Sequence, residues 1–249
     1  DDVDTPSSLL EFGGMARHVT SATQRSLSTW CRRLPRHPGH GPVPCRRMEQ
    51  RRLGGSGLSA SWIGLGTATW GRDTDEHEAA DQLKAFVEAG GSLLDTADTY
   101  ASGDSERVIG TLLAKTVDRA DVVIATKAGG LAPGQRPDGR RRDMSRRYLL
   151  AALDDSLDRL GVEHVDLWQL HGFDPSTPLD ETLSALDAAV DSGRARYVGL
   201  SNFSGWQTAK AAAWQSAWPG RSSLVSTQVE YSLLDRGIER EVVPASLDA

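Results

Sequence analysis

Short apolar runs alternate with amphipathic helical segments along the chain from Met48 onward. In the helical segments apolar residues recur every three or four positions, as in Leu149, Leu153 and Leu157. Strands that are separated by helices pair in parallel, so the chain should form either a doubly wound sheet or a barrel of β/α units. Six runs have the length and composition of buried strands, and they cover residues 62–65, 93–95, 122–126, 165–170, 197–201 and 226–229.

The turn after the first strand decides between these two folds. A doubly wound dinucleotide-binding sheet needs a GxGxxG turn there, and the sequence IGLGTATWG does not supply one. We therefore predict an α/β fold of the (β/α)8 TIM-barrel type, preceded by a small hairpin in RRLGGSGLSA. Because the strands recur about every 30 to 40 residues and the sequence ends at Ala249, we expect about six of the eight β/α units, without strands seven and eight.

Residues 1–47 differ in composition from the rest of the chain. They lack sustained hydrophobic periodicity, and the stretch RRLPRHPGHGPVPCRR is rich in Pro, Gly and Arg, which predicts a disordered leader. We expect Met48 to be the natural start, so that residues 48–249 form the barrel domain. Both cysteines, Cys31 and Cys45, lie in the leader, so the barrel is expected to hold no disulfide and no cysteine-ligated metal site. We expect no metal ion in the site.

Charge and hydropathy limit the partners and the location of the chain. The formal net charge is −6, although residues 1–50 carry seven Arg against five acidic residues, which argues against a nucleic-acid partner for the folded part. No apolar run reaches membrane-spanning length, and none in the first fifty residues forms a signal-peptide core. We expect a cytoplasmic protein without a membrane partner, and the sequence leaves the oligomeric state open.

Residues with useful chemistry follow or close the candidate strands. Each has an ordinary explanation in isolation, because Asp forms turns, Lys reaches the surface along its apolar stem, and His or Tyr can pack in a core. Active sites of β/α barrels collect side chains from the carboxyl ends of several strands, so together these residues predict one site. They are Asp95, Tyr100, Lys127, His171, Ser201, Asn202 and Gln228.

The motifs around these residues resemble those of one enzyme family in their order and spacing. From Met48 to its end, the chain is similar to an aldo-keto reductase in the segments DTADTY, GDSERVIG, IATKAGG, LWQLHG, GLSNFS and QVEYSLLDR. The resemblance implies an NADP(H)-dependent oxidoreductase that reduces the aldehyde or ketone group of a small-molecule substrate to an alcohol. It covers about four fifths of the chain, and no single motif carries it.

The resemblance also implies a role for each matched residue. Tyr100 would be the general acid that protonates the carbonyl oxygen, with Lys127 and Asp95 supporting it. His171 would orient the carbonyl and is a candidate proton relay. Trp70, which follows the first strand, is a candidate wall of the substrate pocket. Hydrogen bonds to the nicotinamide carboxamide would come from Ser201, Asn202 and Gln228.

The chemistry of carbonyl reduction requires such a group of side chains. Hydride addition builds negative charge on the carbonyl oxygen, so a proton donor must lie beside it. A phenol is a weak acid at neutral pH, and a lysine ammonium next to it stabilises the phenolate that forms. A lysine in a partly dry pocket in turn needs a counter-charge, which a carboxylate one strand away provides. Tyr100, Lys127 and Asp95 meet these three requirements.

Two other functions remain open at this stage. A lysine that ends a barrel strand can be the nucleophile of a Schiff-base aldolase, which Lys127 would then be. A barrel of this family can also act as a non-catalytic, cofactor-sensing partner, resembling a potassium-channel β subunit. In addition, loops after strands seven and eight commonly hold phosphate in such barrels, so we expect the chain to bind NADPH more weakly than a complete barrel.

Overall fold

The computed structural model describes residues 48–131 and 141–249. The predicted disordered leader, residues 1–47, lies outside the described residues and stays a prediction. The strands of the described part are β1 (Gln50–Arg52), β2 (Ser59–Ser61), β3 (Gly64–Gly66), β4 (Leu93–Asp95), β5 (Val123–Ala128), β6 (Val165–Leu170), β7 (Ala195–Ser201) and β8 (Leu224–Gln228). The helices are α1 (Glu76–Glu88), α2 (Asp104–Lys115), α3 (Arg146–Leu160), α4 (Leu179–Asp191), α5 (Gly205–Ser216) and α6 (Val242–Asp248).

The strands of the main sheet are all parallel, as the alternation of apolar runs and helices predicts. Within the described residues the sheet has six strands in the order β3-β4-β5-β6-β7-β8, and each strand pairs with its neighbour along the chain. The predicted hairpin is also present, with β1 antiparallel to β2 and Gln50 opposite Ser61. This arrangement confirms the prediction of a (β/α)8-type barrel of which about six units are present.

The predicted strand boundaries match the observed ones at the second and fourth strands of the parallel sheet and differ at the other four. The apolar run 62–65 predicts the first strand, but Trp62 and Ile63 are 46% and 50% exposed and precede β3. The third strand continues two residues beyond the predicted end, because Lys127 and Ala128 pair with Gln169 and Leu170 of β6. Lys127 therefore lies inside a strand, where pairing with β6 on one side and the Asp98 N–H on the other restrain its backbone.

The interior of the curved sheet is filled at the amino ends of its strands. Leu53 and Ala60 of the hairpin pack there against Leu93, Ala125 and Leu167, and all five are buried. A larger apolar cluster lies on the other face, between the sheet and the helices. Because the hairpin covers the amino end of the sheet, a functional site is expected at the carboxyl ends of the strands.

Behind the sheet, a buried ion pair joins two helices to β5. Glu106 of α2 is fully buried, and its carboxylate accepts hydrogen bonds from Arg159 Nε at 2.7 Å and from Thr126 Oγ1 at 2.6 Å. Such a pair tolerates burial only when its remaining oxygens and protons find partners. The pair connects α2 and α3 to the residue next to Lys127, and so fixes the strand from which the lysine projects.

In the part of the chain that the structure describes, no helix combines the length and the hydropathy that crossing a membrane requires. The same residues contain no group of three or more His, Cys, Asp or Glu side chains placed to hold a metal ion.

Candidate active site

Lys127 lies at the centre of the candidate site. Its side chain is 2% exposed, and Nζ donates to Asp95 Oδ1 at 2.8 Å, to the Thr96 carbonyl at 3.0 Å and to Tyr100 Oη at 3.4 Å. An ammonium group has three protons to donate, and each of them has an acceptor here. The lysine is therefore held in one position, with its charge against both the carboxylate and the phenol.

The pairing of the strands explains why these side chains meet. Asp95 ends β4 and lies opposite Ala125 of β5, and Lys127 follows two residues later. Side chains two residues apart in a strand point to the same face, so Ala125 and Lys127 both face the inside of the curved sheet. The lysine side chain thus lies just past the end of β4. There it meets Asp95, the last residue of that strand, and the segment that leads to Tyr100.

Tyr100 is presented by an unusual backbone. It opens a short 3-10 helix, Tyr100–Gly103, in which Ala101 and Ser102 have φ of 49° and 58°, and Gly103 has φ of 94°. Left-handed backbone is unfavourable for residues with a side chain by about 1–2 kcal/mol each. The strain is concentrated directly after the tyrosine. Strained backbone residues cluster at binding and catalytic sites, so this position supports a functional role for the segment.

His171 completes the group on the side of the next strand. Its backbone N–H donates to the Ala128 carbonyl at 2.9 Å, and its ring meets the Tyr100 ring edge-on with centroids 6.0 Å apart. Burial, and to a smaller extent the positive charges of Lys127 and Arg142, lower the pKa of His171 from 6.5 to about 4. The imidazole is therefore neutral at pH 7, and its buried Nδ1 has no hydrogen-bond partner among the described residues.

The predicted amide-binding residues come together at the ends of β7 and β8. Ser201 lies opposite Gln228 in the sheet, and the Asn202 N–H donates to the Gln228 carbonyl at 2.9 Å. Asn202 has φ of 55°, and its Nδ2 donates to Ser201 Oγ at 3.1 Å and to the His171 carbonyl at 3.2 Å. The side-chain amide of Asn202 therefore connects the residues of the amide site to His171.

These residues fit the carboxamide of a nicotinamide ring. A carboxamide offers one acceptor oxygen and an NH2 group with two protons. Gln228 Oε1 is buried without a partner among the described residues and could accept from that NH2 group. Ser201 Oγ accepts from Asn202, which leaves its own proton to donate to the carboxamide oxygen.

Trp70 lies in the apolar core between the sheet and the helices. It is fully buried, and its indole N–H donates to Gln82 Oε1 of α1 at 3.0 Å. The described contacts are those of a packing residue. A role of Trp70 in lining the substrate pocket stays a prediction.

Two further residues of this region are not identified by sequence reasoning. Asp98 has a backbone N–H that donates to the Lys127 carbonyl at 3.0 Å. Its pKa is raised from 3.8 to about 7 by burial and, to a smaller extent, by the nearby negative charge of Glu106. Gln169 lies beside Lys127 in the sheet and is 3% exposed. The sequence signal for Gln169 is its position in β6 two residues before His171, a spacing that places two side chains on the same face of an extended chain.

The comparisons with known proteins agree with this arrangement of residues. The model of the aldo/keto reductase family matches residues 62–248, a range that contains every residue of the candidate site. The chain belongs to the aldo/keto reductase family.

Individual known proteins are also similar over most of the chain. It is 35% identical over 225 residues to a versiconal hemiacetal acetate reductase of Aspergillus parasiticus, covering 81% of this chain and 64% of the relative. It is 37% identical over 201 residues to an L-glyceraldehyde 3-phosphate reductase of Escherichia coli K12, covering 78% and 56%. A probable voltage-gated potassium channel subunit beta of Oryza sativa subsp. japonica is 35% identical over 205 residues, covering 79% and 60%. The chain thus spans about three fifths of the length of these relatives.

Gly199 of β7 allows the candidate site to be packed closely. A Cβ at this position would clash with Ser226 Oγ of β8 and lie 2.9 Å from the Ser226 carbonyl oxygen. We expect Gly199→Ala to lower the free energy of unfolding by about 1–3 kcal/mol, because β8 would have to move. Urea denaturation measures this change. Gly66→Ala is the control, since a Cβ on Gly66 of β3 meets no atom within 4 Å, and equal losses in the two variants would contradict the explanation.

Proposed function

We propose that this aldo/keto reductase reduces aldehydes or ketones to alcohols with NADPH as the hydride donor. The observation that carries the proposal is the position of Lys127 Nζ, which is 2.8 Å from Asp95 Oδ1 and 3.4 Å from Tyr100 Oη. A phenol in contact with a buried, paired ammonium group suits proton donation to an oxygen that gains negative charge.

When bound, NADPH supplies a hydride, which forms the new C–H bond at the carbonyl carbon. The proton of Tyr100 Oη goes to the carbonyl oxygen, so that the product is the neutral alcohol. Lys127 stabilises the tyrosinate left behind, and Asp95 keeps the lysine charged and in place. The neutral His171, beside the Tyr100 ring, orients the carbonyl oxygen toward the phenol by hydrogen bonding. A proton from solvent then restores the phenol.

The hydride donor must present its ring next to these side chains. Ser201, Asn202 and Gln228 are proposed to bind the carboxamide of the nicotinamide, and the free Gln228 Oε1 supports that assignment. Hydrogen bonds at this amide would orient the ring for hydride transfer. The preference for NADPH over NADH is part of the proposal and follows the family resemblance.

A Schiff-base aldolase is less compatible with the geometry. A lysine nucleophile must lose its proton, which requires an apolar pocket or a neighbouring positive charge. Lys127 Nζ instead donates to a carboxylate and to a carbonyl oxygen, and both contacts favour the ammonium form. A non-catalytic, cofactor-sensing role has one specific observation in its favour, which is the similarity to the rice potassium channel subunit beta.

A substrate screen tests the proposal. NADPH oxidation is followed by absorbance with a panel of small aldehydes and ketones, with NADH as the comparison and borohydride trapping in parallel. We expect turnover with NADPH, less with NADH, and no covalent adduct on Lys127. Trapping on Lys127 would favour the aldolase, and tight cofactor retention with a stable protein partner but no turnover would favour the sensing role.

We also propose a cytoplasmic location, because the net charge of −6 and the small-molecule chemistry call for no nucleic-acid or membrane partner.

A further inference from the structure

Gln169 occupies a position between the two halves of the candidate site. In the sheet it lies opposite Lys127 of β5 on one side and opposite Gly199 of β7 on the other. Its side chain is 3% exposed, and it shares the face of His171, two residues further along the chain. One side chain therefore adjoins both the strand that carries the lysine and the strand that leads to the amide site.

The hydrogen bond made by Gln169 reaches the backbone of the amide site. Its Nε2 donates to the Leu200 carbonyl oxygen at 3.3 Å. That carbonyl and the N–H of Ser201 belong to the same planar peptide unit, so the bond restrains the orientation of the peptide directly before Ser201. Asn202 follows and is bonded in turn to Gln228.

The packing around Gln169 leaves this bond little freedom. A Cβ on Gly199 would be in ordinary contact with Gln169 Cγ at 3.4 Å but would clash with Ser226 Oγ, so the missing side chain is what allows Ser226 to pack beside Gln169. The pairing of β7 with β8 shifts register between Val198 and Leu200. Such irregularities re-aim side chains beside functional sites, and here the shift occurs at the residues that Gln169 holds.

We propose that Gln169 is a positioning residue for the nicotinamide-amide site. By holding the Leu200 carbonyl, it fixes the direction of the Ser201 hydroxyl and of the Asn202 backbone, and it does so without touching the cofactor. The proposal rests on the proposed function, because it assigns Ser201 and Asn202 to the nicotinamide. It extends that function by naming the residue on which the geometry of the amide site depends.

The test uses reduced nicotinamide mononucleotide, which carries the nicotinamide without the adenosine half of the cofactor. The full chain and its Gln169→Leu variant are titrated at millimolar concentrations and followed by NMR. We expect affinity to fall by about threefold to tenfold in Gln169→Leu, which is the usual effect of losing one hydrogen bond. Gln215→Leu is the control, because Gln215 is also 3% exposed and also donates to a backbone carbonyl, that of Ser222 at 3.0 Å. It is the more severe change, since Gln215 also bonds Asp187 and Arg221.

Backbone hydrogen exchange of the free protein gives a second measurement. The Asn202 amide should exchange faster in Gln169→Leu, while amides of the core such as Ile109 keep their rates. Equal affinity losses in Gln169→Leu and Gln215→Leu, or an unchanged Asn202 exchange rate, would overturn the proposal. If the unaltered chain does not bind the mononucleotide at all, the proposed cofactor function fails, and the exchange rates alone decide the role of Gln169.

Discussion

Tyr100→Phe is expected to lower kcat for carbonyl reduction by about 10²–10⁴-fold, the usual contribution of a positioned general acid. The variant removes one oxygen atom, so the carbonyl oxygen loses its proton donor while the ring keeps its contact with His171. Affinity for NADPH should change little, because the amide site lies on β7 and β8. Steady-state kinetics with the best substrate of the screen measures the first effect, and a nucleotide titration measures the second.

Tyr197→Phe is the matched control for this prediction. Tyr197 of β7 packs against the apolar cluster at the amino end of the sheet, so its hydroxyl has no part in the proposed chemistry and its loss should leave kcat within about twofold. A Tyr100→Phe variant that keeps the turnover of the unaltered protein would refute the assignment of the acid. Equal losses in both variants would indicate a general effect on the fold.

Asp98→Asn is expected to change the pH dependence of stability. The pKa of Asp98 is raised in the fold from 3.8 to about 7, so the folded state holds a proton that the unfolded state releases. Asp98 thus contributes at most about 4 kcal/mol to the free energy of unfolding. This contribution is fully present below about pH 4 and is lost as the pH rises to about 7. An asparagine, which does not titrate, removes this loss.

His171 acts in the opposite direction over much of the same range. Its pKa is lowered in the fold from 6.5 to about 4, so the unfolded state binds the proton first. Stability from His171 is present above about pH 6.5 and is lost as pH falls to about 4, by about 3 kcal/mol. The two groups therefore offset each other in the unaltered chain. Burial is the main cause of both pKa shifts, and only the charged neighbours differ, Glu106 and Arg159 for Asp98 and Lys127 and Arg142 for His171.

Urea denaturation at about pH 5 and pH 7.5 separates the two contributions. As the pH rises from about 5 to 7.5, the free energy of unfolding of Asp98→Asn should increase by about 2–3 kcal/mol relative to that of the unaltered chain, because only the His171 contribution remains. Over the same pH range the free energy of unfolding of His171→Gln should fall relative to that of the unaltered chain, since only the Asp98 contribution remains. Parallel pH profiles for Asp98→Asn and the unaltered chain would contradict the raised pKa of Asp98.

Much of the fold could be predicted from the sequence because the pattern of burial is periodic. Every strand of the parallel sheet is marked by an apolar run, and the helices between them by apolar residues on one face. The boundaries are less certain, as Trp62 and Ile63 demonstrate: their apolar side chains suit a strand, yet they are half exposed and precede it. Whether a large apolar residue is covered depends on neighbours that are distant in sequence.

The candidate site could be predicted only where side-chain chemistry identifies a residue. Asp95, Tyr100, Lys127 and His171 follow from the family motifs, and the structure brings them together. Gln169 and Asp98 could not be predicted, because their importance depends on a neighbouring strand or on a buried charge. A glutamine in a strand, or an aspartate in a turn, is unremarkable until the groups around it are known.

The left-handed pair Ala101 and Ser102 has a consequence for how Tyr100 can move. A glycine at either position would adopt this backbone at no steric expense, and would adopt many others as readily. With side chains present, the left-handed form is reached only while the surrounding contacts enforce it. The tyrosine is then either fully seated or released with its whole loop, and intermediate positions are thinly populated. We therefore expect the opening of this loop to be a discrete event.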